Sequence, residues 1–170
     1  MIQTKQIKDF TSNDGTRPQL CNRLMVKAGK LYATDGHRAL VMETKLSDGV
    51  YLADSYSKGE SVMLQECSFP NIVALIPKDL TLSVAIDVPG FVGNFKVSRR
   101  LAQKCKLFID LDGSFCIKEP KDYIVCIDAH LIKELAGQRL TMRYKKDNKL
   151  SPVIITGKGT TELTVMPLRG

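Results

Sequence analysis

The stretch Ala33-Thr34-Asp35-Gly36-His37-Arg38 (ATDGHR) is the segment of this chain that decides its fold. It completes Leu31–Thr34, whose residue types predict a β-strand. The dipeptide Asp35-Gly36 predicts a tight turn, since glycine tolerates the positive φ that such turns require. Two polar residues, His37 and Arg38, then precede another apolar stretch. The segment therefore predicts a strand, a turn and a second strand, with polar side chains at the turn.

Strand-forming patterns continue on both sides of this segment. On the amino-terminal side, Arg23–Ala28 (RLMVKA) joins Leu31–Thr34 through Gly29-Lys30, which predicts a β-hairpin. On the carboxyl-terminal side, Asp112-Gly113 stands between two apolar stretches and predicts another hairpin. The strands predicted after Arg38 are Ala39–Thr44, Ser61–Glu66, Thr81–Asp87, Leu107–Asp110, Ser114–Lys118, Tyr123–Ile127, Leu140–Tyr144, Val153–Thr156 and Glu162–Met166.

Two short helices are predicted among these strands. The first covers residues 97–104, where an apolar side chain recurs every four residues and basic side chains occupy the opposite face. The second covers residues 129–136, with Asp128 as its N-cap and Gly137 as its stop. The polar stretches predicted to be surface loops are residues 45–60 and 145–152.

The order of these elements predicts the fold class. From residue 81 onward, the order of a strand, a helix and further strands occurs twice, which indicates β-α-β-β-β repeats. Antiparallel sheets with the two short helices on one side accommodate this order. We therefore expect an α+β fold.

The composition is typical of a globular protein. The chain has 170 residues, of which 44% are hydrophobic and 25% are charged, a balance that excludes wholesale disorder. No stretch reaches the roughly 18 apolar residues that a membrane span needs, and residues 1–10 lack the apolar run of a signal peptide. We therefore expect a soluble, cytoplasmic protein with no membrane partner.

The cysteines are odd in number and scattered, with no Cys-x-x-Cys pair. Disulfide frameworks and zinc sites need clustered, paired cysteines, and the two histidines, His37 and His130, stand far apart in the chain. We therefore expect reduced thiols, no metal site and no cofactor. The five cysteines are Cys21, Cys67, Cys105, Cys116 and Cys126.

Positive charge is concentrated in the second half of the chain. Residues 1–95 carry ten Lys/Arg and ten Asp/Glu, whereas residues 96–170 carry fifteen and eight, so the net charge of +7 lies entirely in the latter. Basic surfaces attract nucleic acids by releasing counterions from the phosphates. A solvated basic surface without such a partner has the same composition, so charge alone leaves both interpretations open.

ATDGHR closely resembles a motif of the bacterial β sliding clamp, the processivity subunit of the replicative DNA polymerase. Residues 165–169 (VMPLR) resemble the closing sequence of that family. Other segments resemble further clamp landmarks in the family's order, and the match is weak only across residues 81–121. These segments are residues 13–20 (NDGTRPQL), 69–71 with 76–77 (FPN and IP), 127–135 (IDAHLIKEL) and 153–170.

The resemblance implies a sliding-clamp fold with two domains. Residues 1–68, which carry TDGHR, resemble a half of the second clamp domain, and residues 69–170, which carry VMPLR, resemble a contracted final domain. The helix that precedes the NDGTRPQL segment in the family is expected to be absent, because only a dozen residues precede Asn13. Clamp chains that close a ring as dimers are considerably longer, so the closure of a homo-oligomeric ring is left open.

The resemblance also implies a binding cleft rather than an active site. In clamps, the TDGHR turn and the carboxyl-terminal strand form an apolar cleft that accepts short peptides of polymerases and the clamp loader. Methionine and leucine fill irregular apolar pockets, while His37, Arg38 and Arg169 would donate hydrogen bonds to the peptide. The residues carried over to this chain are Leu20, Thr34, Gly36, His37, Arg38, Val165, Met166, Pro167, Leu168 and Arg169.

A second implied surface contacts double-stranded DNA. Clamp helices face the phosphates of the duplex, and such backbone contacts give affinity without sequence preference. A solvated helix face is the alternative interpretation of the same basic residues. The residues on the predicted helix faces and in a nearby loop are Arg99, Arg100, Lys104, Lys133, Lys145, Lys146 and Lys149.

Three functions can be compared on this basis. The leading hypothesis is a processivity factor that tethers a polymerase, or another replication or repair protein, to DNA. The alternative is a monomeric clamp-like adaptor that binds the same peptides without encircling DNA. An enzyme that uses Asp35 and His37 is the third hypothesis, but the sequence has no nucleophile elbow, phosphate-binding loop or metal cluster to support it. We therefore expect a protein that is not an enzyme.

Overall fold

The computed structural model describes residues 4–65, 67–94, 106–146, 148–157 and 161–168. The chain divides into two compact units. Unit 1 comprises Met1–Ile76 and Lys158–Thr164, and unit 2 comprises Pro77–Gly157 and Val165–Gly170.

Strands make up most of the regular structure of the described residues. The strands are β1 (Arg23–Lys27), β2 (Lys30–Thr34), β3 (Arg38–Glu43), β4 (Gly49–Leu52), β5 (Met63–Leu64), β6 (Leu82–Asp87), β7 (Lys106–Ile109), β8 (Phe115–Cys116), β9 (Val125–Asp128), β10 (Arg139–Tyr144), β11 (Val153–Thr156) and β12 (Glu162–Val165). The helices are short, namely α1 (Ala53–Ser57), α2 (Ile72–Leu75) and the 3-10 helices Thr4–Phe10, Gly90–Asn94 and Ala129–Leu135. The predicted α+β class is confirmed.

Unit 1 is built on a sheet with the strand order β5-β4-β1-β2-β3, and β12 follows β3. The pairs from β5 to β3 are antiparallel. β1 and β2 form the predicted hairpin, in which Lys27 pairs with Lys30. Its two turn residues, Ala28 and Gly29, have φ values of 51° and 74°. Two positive φ values indicate a type I′ turn, whose twist matches that of paired strands.

The 3-10 helix Thr4–Phe10 stands where the resemblance predicted that a helix is missing. Ile7 and Phe10 of this helix are fully buried. A spacing of three residues places both side chains on one face, because a 3-10 helix has three residues per turn. The helix contacts β2, β3 and α1. The expectation was wrong because two apolar side chains are enough to hold so short a helix against the sheet.

The FPN and IP landmarks lie in a segment that packs on unit 1. Phe69 and Ile76 contact a buried cluster formed by Tyr32, Val41 and Ile72. Burial of these side chains explains why unit 1 continues through α2 to its end at residue 76. The domain boundary between residues 68 and 69 stays a prediction about clamp-type domains, while the compact units divide eight residues later.

Unit 2 contains two antiparallel sheets, with the strand orders β11-β10-β6 and β8-β7-β9. The predicted hairpin at Asp112-Gly113 is confirmed as the β7–β8 pair. A Cβ atom at Gly113 would lie 2.1 Å from the carbonyl oxygen of Ala85 in β6. The tip of the hairpin therefore packs directly on the backbone of the other sheet.

The helix predicted over residues 129–136 is the 3-10 helix Ala129–Leu135. Asp128 is its N-cap as predicted, since its carboxylate accepts a hydrogen bond from the His130 N–H (3.1 Å). The buried residues of this helix recur every three positions, a period that suits a 3-10 helix. These residues are Ala129, Ile132 and Leu135.

Two predictions about residues 45–66 were wrong. Residues 45–60 were predicted to be a loop, but they contain β4 and α1, with Tyr51 and Ala53 buried. Glycine, serine and aspartate residues, which are typical of loops, surround this short apolar stretch. The sequence therefore did not indicate that the stretch pairs with β1. The strand predicted at Ser61–Glu66 is only the two-residue β5. The first predicted helix, residues 97–104, lies outside the described residues.

Candidate functional site

Hydrogen bonds among its own residues hold the Thr34–Arg38 turn. The Thr34 hydroxyl donates to the Arg38 carbonyl (2.7 Å) and accepts from the Gly36 N–H (3.0 Å). The Asp35 carboxylate accepts from the N–H groups of His37 (2.9 Å) and Arg38 (3.0 Å). These four hydrogen bonds order the turn. Gly36 and His37 are exposed.

Arg38 lies beneath this turn rather than at its surface. Its side chain is only 5% exposed, and its Nε donates to the Asp35 carboxylate at 3.0 Å. Nη2 donates to the Asp9 carbonyl (2.8 Å), and the guanidinium carbon lies 4.2 Å from the centroid of the Phe10 ring. A guanidinium suits this place because it donates in its plane and stacks on an aromatic face. Arg38 therefore connects the turn to the 3-10 helix Thr4–Phe10.

The NDGTRPQL segment packs beside the turn. A Cβ atom at Gly36 would lie 3.0 Å from Nη1 of Arg17 and 3.7 Å from Cδ1 of Leu20. Gly36 also has a φ of 92°, so glycine is favoured here by both space and backbone conformation. Leu20 is buried, whereas the Arg17 side chain is 52% exposed. Arg17 was not among the predicted site residues, although its place in the TRPQL landmark was a signal for it.

The carboxyl-terminal segment contains both buried and exposed side chains. Val165 is fully buried, Met166 is 45% exposed, Pro167 is half-buried and Leu168 is 9% exposed. Met166 is therefore the large apolar side chain that residues 165–168 present to solvent. Arg169 lies outside the described residues.

Leu168 belongs to the core of unit 2. Its N–H donates to the Cys126 carbonyl (2.8 Å), and its side chain joins a buried cluster with Phe108 and Cys126. Tyr123 packs against Phe108 edge to face, with the ring centroids 5.1 Å apart. A cavity of about 80 Å³ lies beside these residues. Truncation before Leu168 would therefore disturb the fold as well as the surface.

The basic residues predicted to face DNA have different surroundings. Lys133 lies on the 3-10 helix Ala129–Leu135, half-buried, with its Nζ 3.9 Å from the Glu134 carboxylate. Another group lines a cavity of unit 2 and comprises Lys145, Lys146 and Lys149. The group on the first predicted helix lies outside the described residues and comprises Arg99, Arg100 and Lys104.

Solved structures match this chain, whereas no protein-family model and no curated protein does. A β sliding clamp from Caulobacter crescentus covers 98% of the chain with a TM-score of 0.69 at 16% identity. The DNA polymerase III β chain of Streptococcus pneumoniae covers 98% with a TM-score of 0.69 at 15% identity. The sliding clamp of Bartonella birtlesii covers 98% with a TM-score of 0.68 at 12% identity. The chain has the sliding-clamp fold.

The resemblance carried by ATDGHR and VMPLR is thus confirmed at the level of the fold. The two segments end β2 and β12 of this clamp fold, in the order that the family landmarks predicted. The chain spans 62% of the Caulobacter and Streptococcus clamps and 64% of the Bartonella clamp. At an identity of 12–16%, the structural match shows the fold of this chain alone.

Metal sites, membrane spans and reactive thiols each place requirements on the described residues. Across the described ranges, no three His, Cys, Asp or Glu side chains come together as metal ligands. None of the described helices combines the length and the apolar character of a membrane span. Burial raises the pKa of the Cys126 thiol above its usual value, which keeps this thiol protonated at neutral pH.

Proposed function

We propose that this chain is a sliding-clamp-like processivity factor, a non-catalytic tether that holds a polymerase or another replication or repair protein on DNA. The observation that carries the proposal is the clamp fold, which extends over 98% of the chain. The structural neighbours are themselves named as sliding clamps and as β subunits of DNA polymerase III. The proposal extends their role to this protein.

In unit 1, the proposed peptide-binding surface is the Thr34–Arg38 turn with its neighbours. Gly36 and His37 are exposed there, and the Arg17 guanidinium lies beside Gly36. These groups can donate hydrogen bonds to peptide carbonyls, while Leu20 supplies an apolar contact. Arg38 acts as a positioning residue, because its guanidinium holds the Asp35 carboxylate that orders the turn.

In unit 2, the proposed peptide contacts are Met166 and Pro167. Met166 suits an apolar anchor of variable shape, because its unbranched side chain adapts to the group that it meets. Val165 and Leu168 are buried on either side and set the course of the backbone. The resemblance implies that clamp peptides use both segments, and we propose each segment as a peptide contact of its own unit.

Replacing Met166 with alanine is expected to weaken the binding of griselimycin at least about tenfold. The change removes an exposed apolar contact without emptying a core position, so the fold is retained. Griselimycin is a suitable probe because the Bartonella birtlesii clamp was solved bound to it. Isothermal titration calorimetry measures both affinities.

The matched control is Met63→Ala, since Met63 is 48% exposed and lies in β5 of unit 1. This variant is expected to bind griselimycin like the unaltered protein. Equal affinity of Met166→Ala and the unaltered protein would remove Met166 from the proposed surface. So would an equal loss in both variants.

The proposed DNA-facing surface is the basic set Arg99, Arg100, Lys104 and Lys133. Reversing the charge of Arg99, Arg100 and Lys104 to glutamate is expected to weaken binding to a DNA duplex and to flatten its salt dependence. The slope of log K against log[salt] is negative, and each lost phosphate contact makes it shallower by about 0.9. Fluorescence anisotropy over a salt series measures the slope.

The control for charge alone reverses three exposed lysines of unit 1, namely Lys27, Lys30 and Lys45. Both triple variants change the net charge equally, but the control is expected to keep nearly the original slope. If the two variants flattened the salt dependence to the same extent, the effect would belong to net charge and not to a DNA-facing surface.

Retention on circular DNA separates a tether from an adaptor. A tether is expected to assemble, to stay on nicked circular DNA during gel filtration and to leave the DNA after linearisation. A strict monomer that binds griselimycin but is never retained on DNA would instead support the clamp-like adaptor. Analytical ultracentrifugation gives the mass of the assembly.

A further inference from the structure

Unit 2 contains a cavity of about 340 Å³, a size within the range of small-ligand sites. Its lining combines apolar side chains with a group of lysines. The lining residues are Leu82, Leu111, Asp122, Tyr123, Ile124, Tyr144, Lys145, Lys146, Asn148 and Lys149. None of them belongs to the Thr34–Arg38 turn or to residues 165–168.

The apolar part of the lining is unusually accessible. Leu111 is 60% exposed and Leu82 is 37% exposed, although both border the same cavity. Exposed leucines that border one cavity mark a contact surface for an apolar group of a ligand. The cavity therefore offers a large apolar side chain a place to lose contact with water.

The position of Leu111 is set before any ligand binds. It lies in the β7–β8 turn, where its N–H donates to the Asp110 carboxylate (2.7 Å). The Gly113 N–H donates to the Asp110 carbonyl (2.9 Å), and the Ser114 N–H donates to the Asp112 carboxylate (2.8 Å). A wall that is already ordered costs little further entropy on binding.

The basic part of the lining favours an anionic ligand. Among the lining residues that the structure describes, three lysines stand against one carboxylate, that of Asp122. The Lys149 ammonium lies 3.8 Å from the centroid of the Tyr123 ring, a cation–π contact that restricts its position. Lys145 forms an ion pair with the exposed Asp79, so Lys146 and Lys149 are the ammonium groups that we assign to the ligand.

A peptide fits this lining better than a single-stranded nucleic acid. Nucleic-acid strands bind by stacking their bases on free aromatic faces. The Lys149 ammonium already lies over the Tyr123 ring, and the same ring packs edge to face against Phe108. Tyr144 also lines the cavity but is half-buried, whereas the exposed apolar groups are the aliphatic Leu82 and Leu111. They suit the side chain of a peptide rather than a base.

We propose that this cavity binds an acidic linear peptide in which a large apolar side chain is flanked by carboxylates. The apolar side chain contacts Leu82 and Leu111, and the carboxylates pair with Lys146 and Lys149. This second site would engage an acidic segment of a partner protein. It goes beyond the proposed clamp function and does not depend on it.

Fluorescence anisotropy with a fluorescein-labelled Asp-Asp-Phe-Asp-Asp peptide tests the proposal. Binding to the full chain is expected to fall at least about tenfold in Leu111→Asp and, independently, in the double variant Lys146→Glu, Lys149→Glu. A peptide with asparagine in place of aspartate is expected to bind more weakly than the acidic one. Unfolding midpoints equal to that of the unaltered protein verify that the variants are folded.

Matched variants outside the cavity separate a site from general surface effects. Ile117→Asp is the control for Leu111→Asp, since Ile117 is 64% exposed and does not line the cavity. Lys118→Glu with Lys121→Glu is the control for charge, because both lysines are exposed and lie outside the lining. Both controls are expected to bind the peptide like the unaltered protein. Equal losses in the controls would overturn the proposal.

Two further measurements separate this site from the proposed Met166 surface and from a nucleic-acid site. Met166→Ala is expected to leave the affinity for the acidic peptide unchanged, so failure of the clamp proposal would not be mistaken for failure of this one. A labelled ten-residue oligothymidylate is expected to bind independently of Leu111. The peptide proposal would be refuted if the oligothymidylate bound more tightly than the acidic peptide and lost this binding in Leu111→Asp. That result would assign the cavity to nucleic acid.

Discussion

Replacing Gly113 with alanine is expected to lower the free energy of unfolding by about 2–5 kcal/mol. The φ of Gly113 is 87°, a conformation that costs an L-residue about 1–2 kcal/mol. The new Cβ would also lie 2.1 Å from the Ala85 carbonyl oxygen, so the β7–β8 turn and β6 must move apart. Overpacking of this kind costs about 1–3 kcal/mol. Urea denaturation followed by circular dichroism measures the total loss in the free energy of unfolding.

Gly59 provides the matched control for this prediction. Its φ is 89°, but nothing lies within 4 Å of the position of its Cβ. Gly59→Ala is therefore expected to show the conformational cost alone, about 1–2 kcal/mol. A loss at Gly113 no greater than the loss at Gly59 would mean that the hairpin does not pack closely on β6.

Replacing Arg38 with methionine is expected to lower the free energy of unfolding by about 3–5 kcal/mol. The Arg38 side chain is 5% exposed, and its guanidinium pairs with the Asp35 carboxylate at 3.0 Å. Methionine keeps much of the side-chain volume, but it leaves this carboxylate and the Asp9 carbonyl without the donors that Arg38 supplies. The same change is expected to weaken griselimycin binding, because the Asp35 carboxylate orders the proposed peptide-binding turn.

The control is Arg17→Met, which removes an exposed arginine of the same unit. Arg17 and Asp14 are 4.0 Å apart, with side chains 52% and 49% exposed. Such a surface pair contributes about 0–1 kcal/mol, so little change in stability is expected. If Arg38→Met cost no more than Arg17→Met in the same urea titrations, the buried pair would not be a structural link.

Most strands could be predicted because their signals are local. β11 has the predicted bounds, Val153–Thr156, and Asp112-Gly113 marks a hairpin through its own turn chemistry. The errors at residues 4–10 and 49–52 concern elements whose stability comes from contacts with distant segments. The 3-10 helix Thr4–Phe10 needs the sheet beneath it, and β4 needs β1 as its neighbour. Neither partner can be read from a short window of sequence.

The sequence predicted candidate members of the site but not their geometry. The landmarks predicted Leu20, Gly36 and Met166 as site residues, and the first two lie in adjoining parts of unit 1. Arg17 was missed because an arginine in a turn-rich segment has the pattern of an ordinary solvated residue. The loop lysines were predicted to face DNA because their charge is visible in the sequence, and this stays a prediction. Leu82 and Leu111, which line the same cavity, come from distant parts of the chain.

By itself, the sequence determined the turn at ATDGHR, the strand-rich α+β class and the clamp resemblance, because turn chemistry, side-chain periodicity and ordered motifs are properties of neighbouring residues. Only the tertiary structure decided that Arg38 is buried against Phe10, that Leu168 belongs to the core and that Gly113 meets Ala85. The physical reason is that burial and close contact depend on which distant segments pack together. ATDGHR therefore specified the turn, and packing determined which of its side chains are exposed.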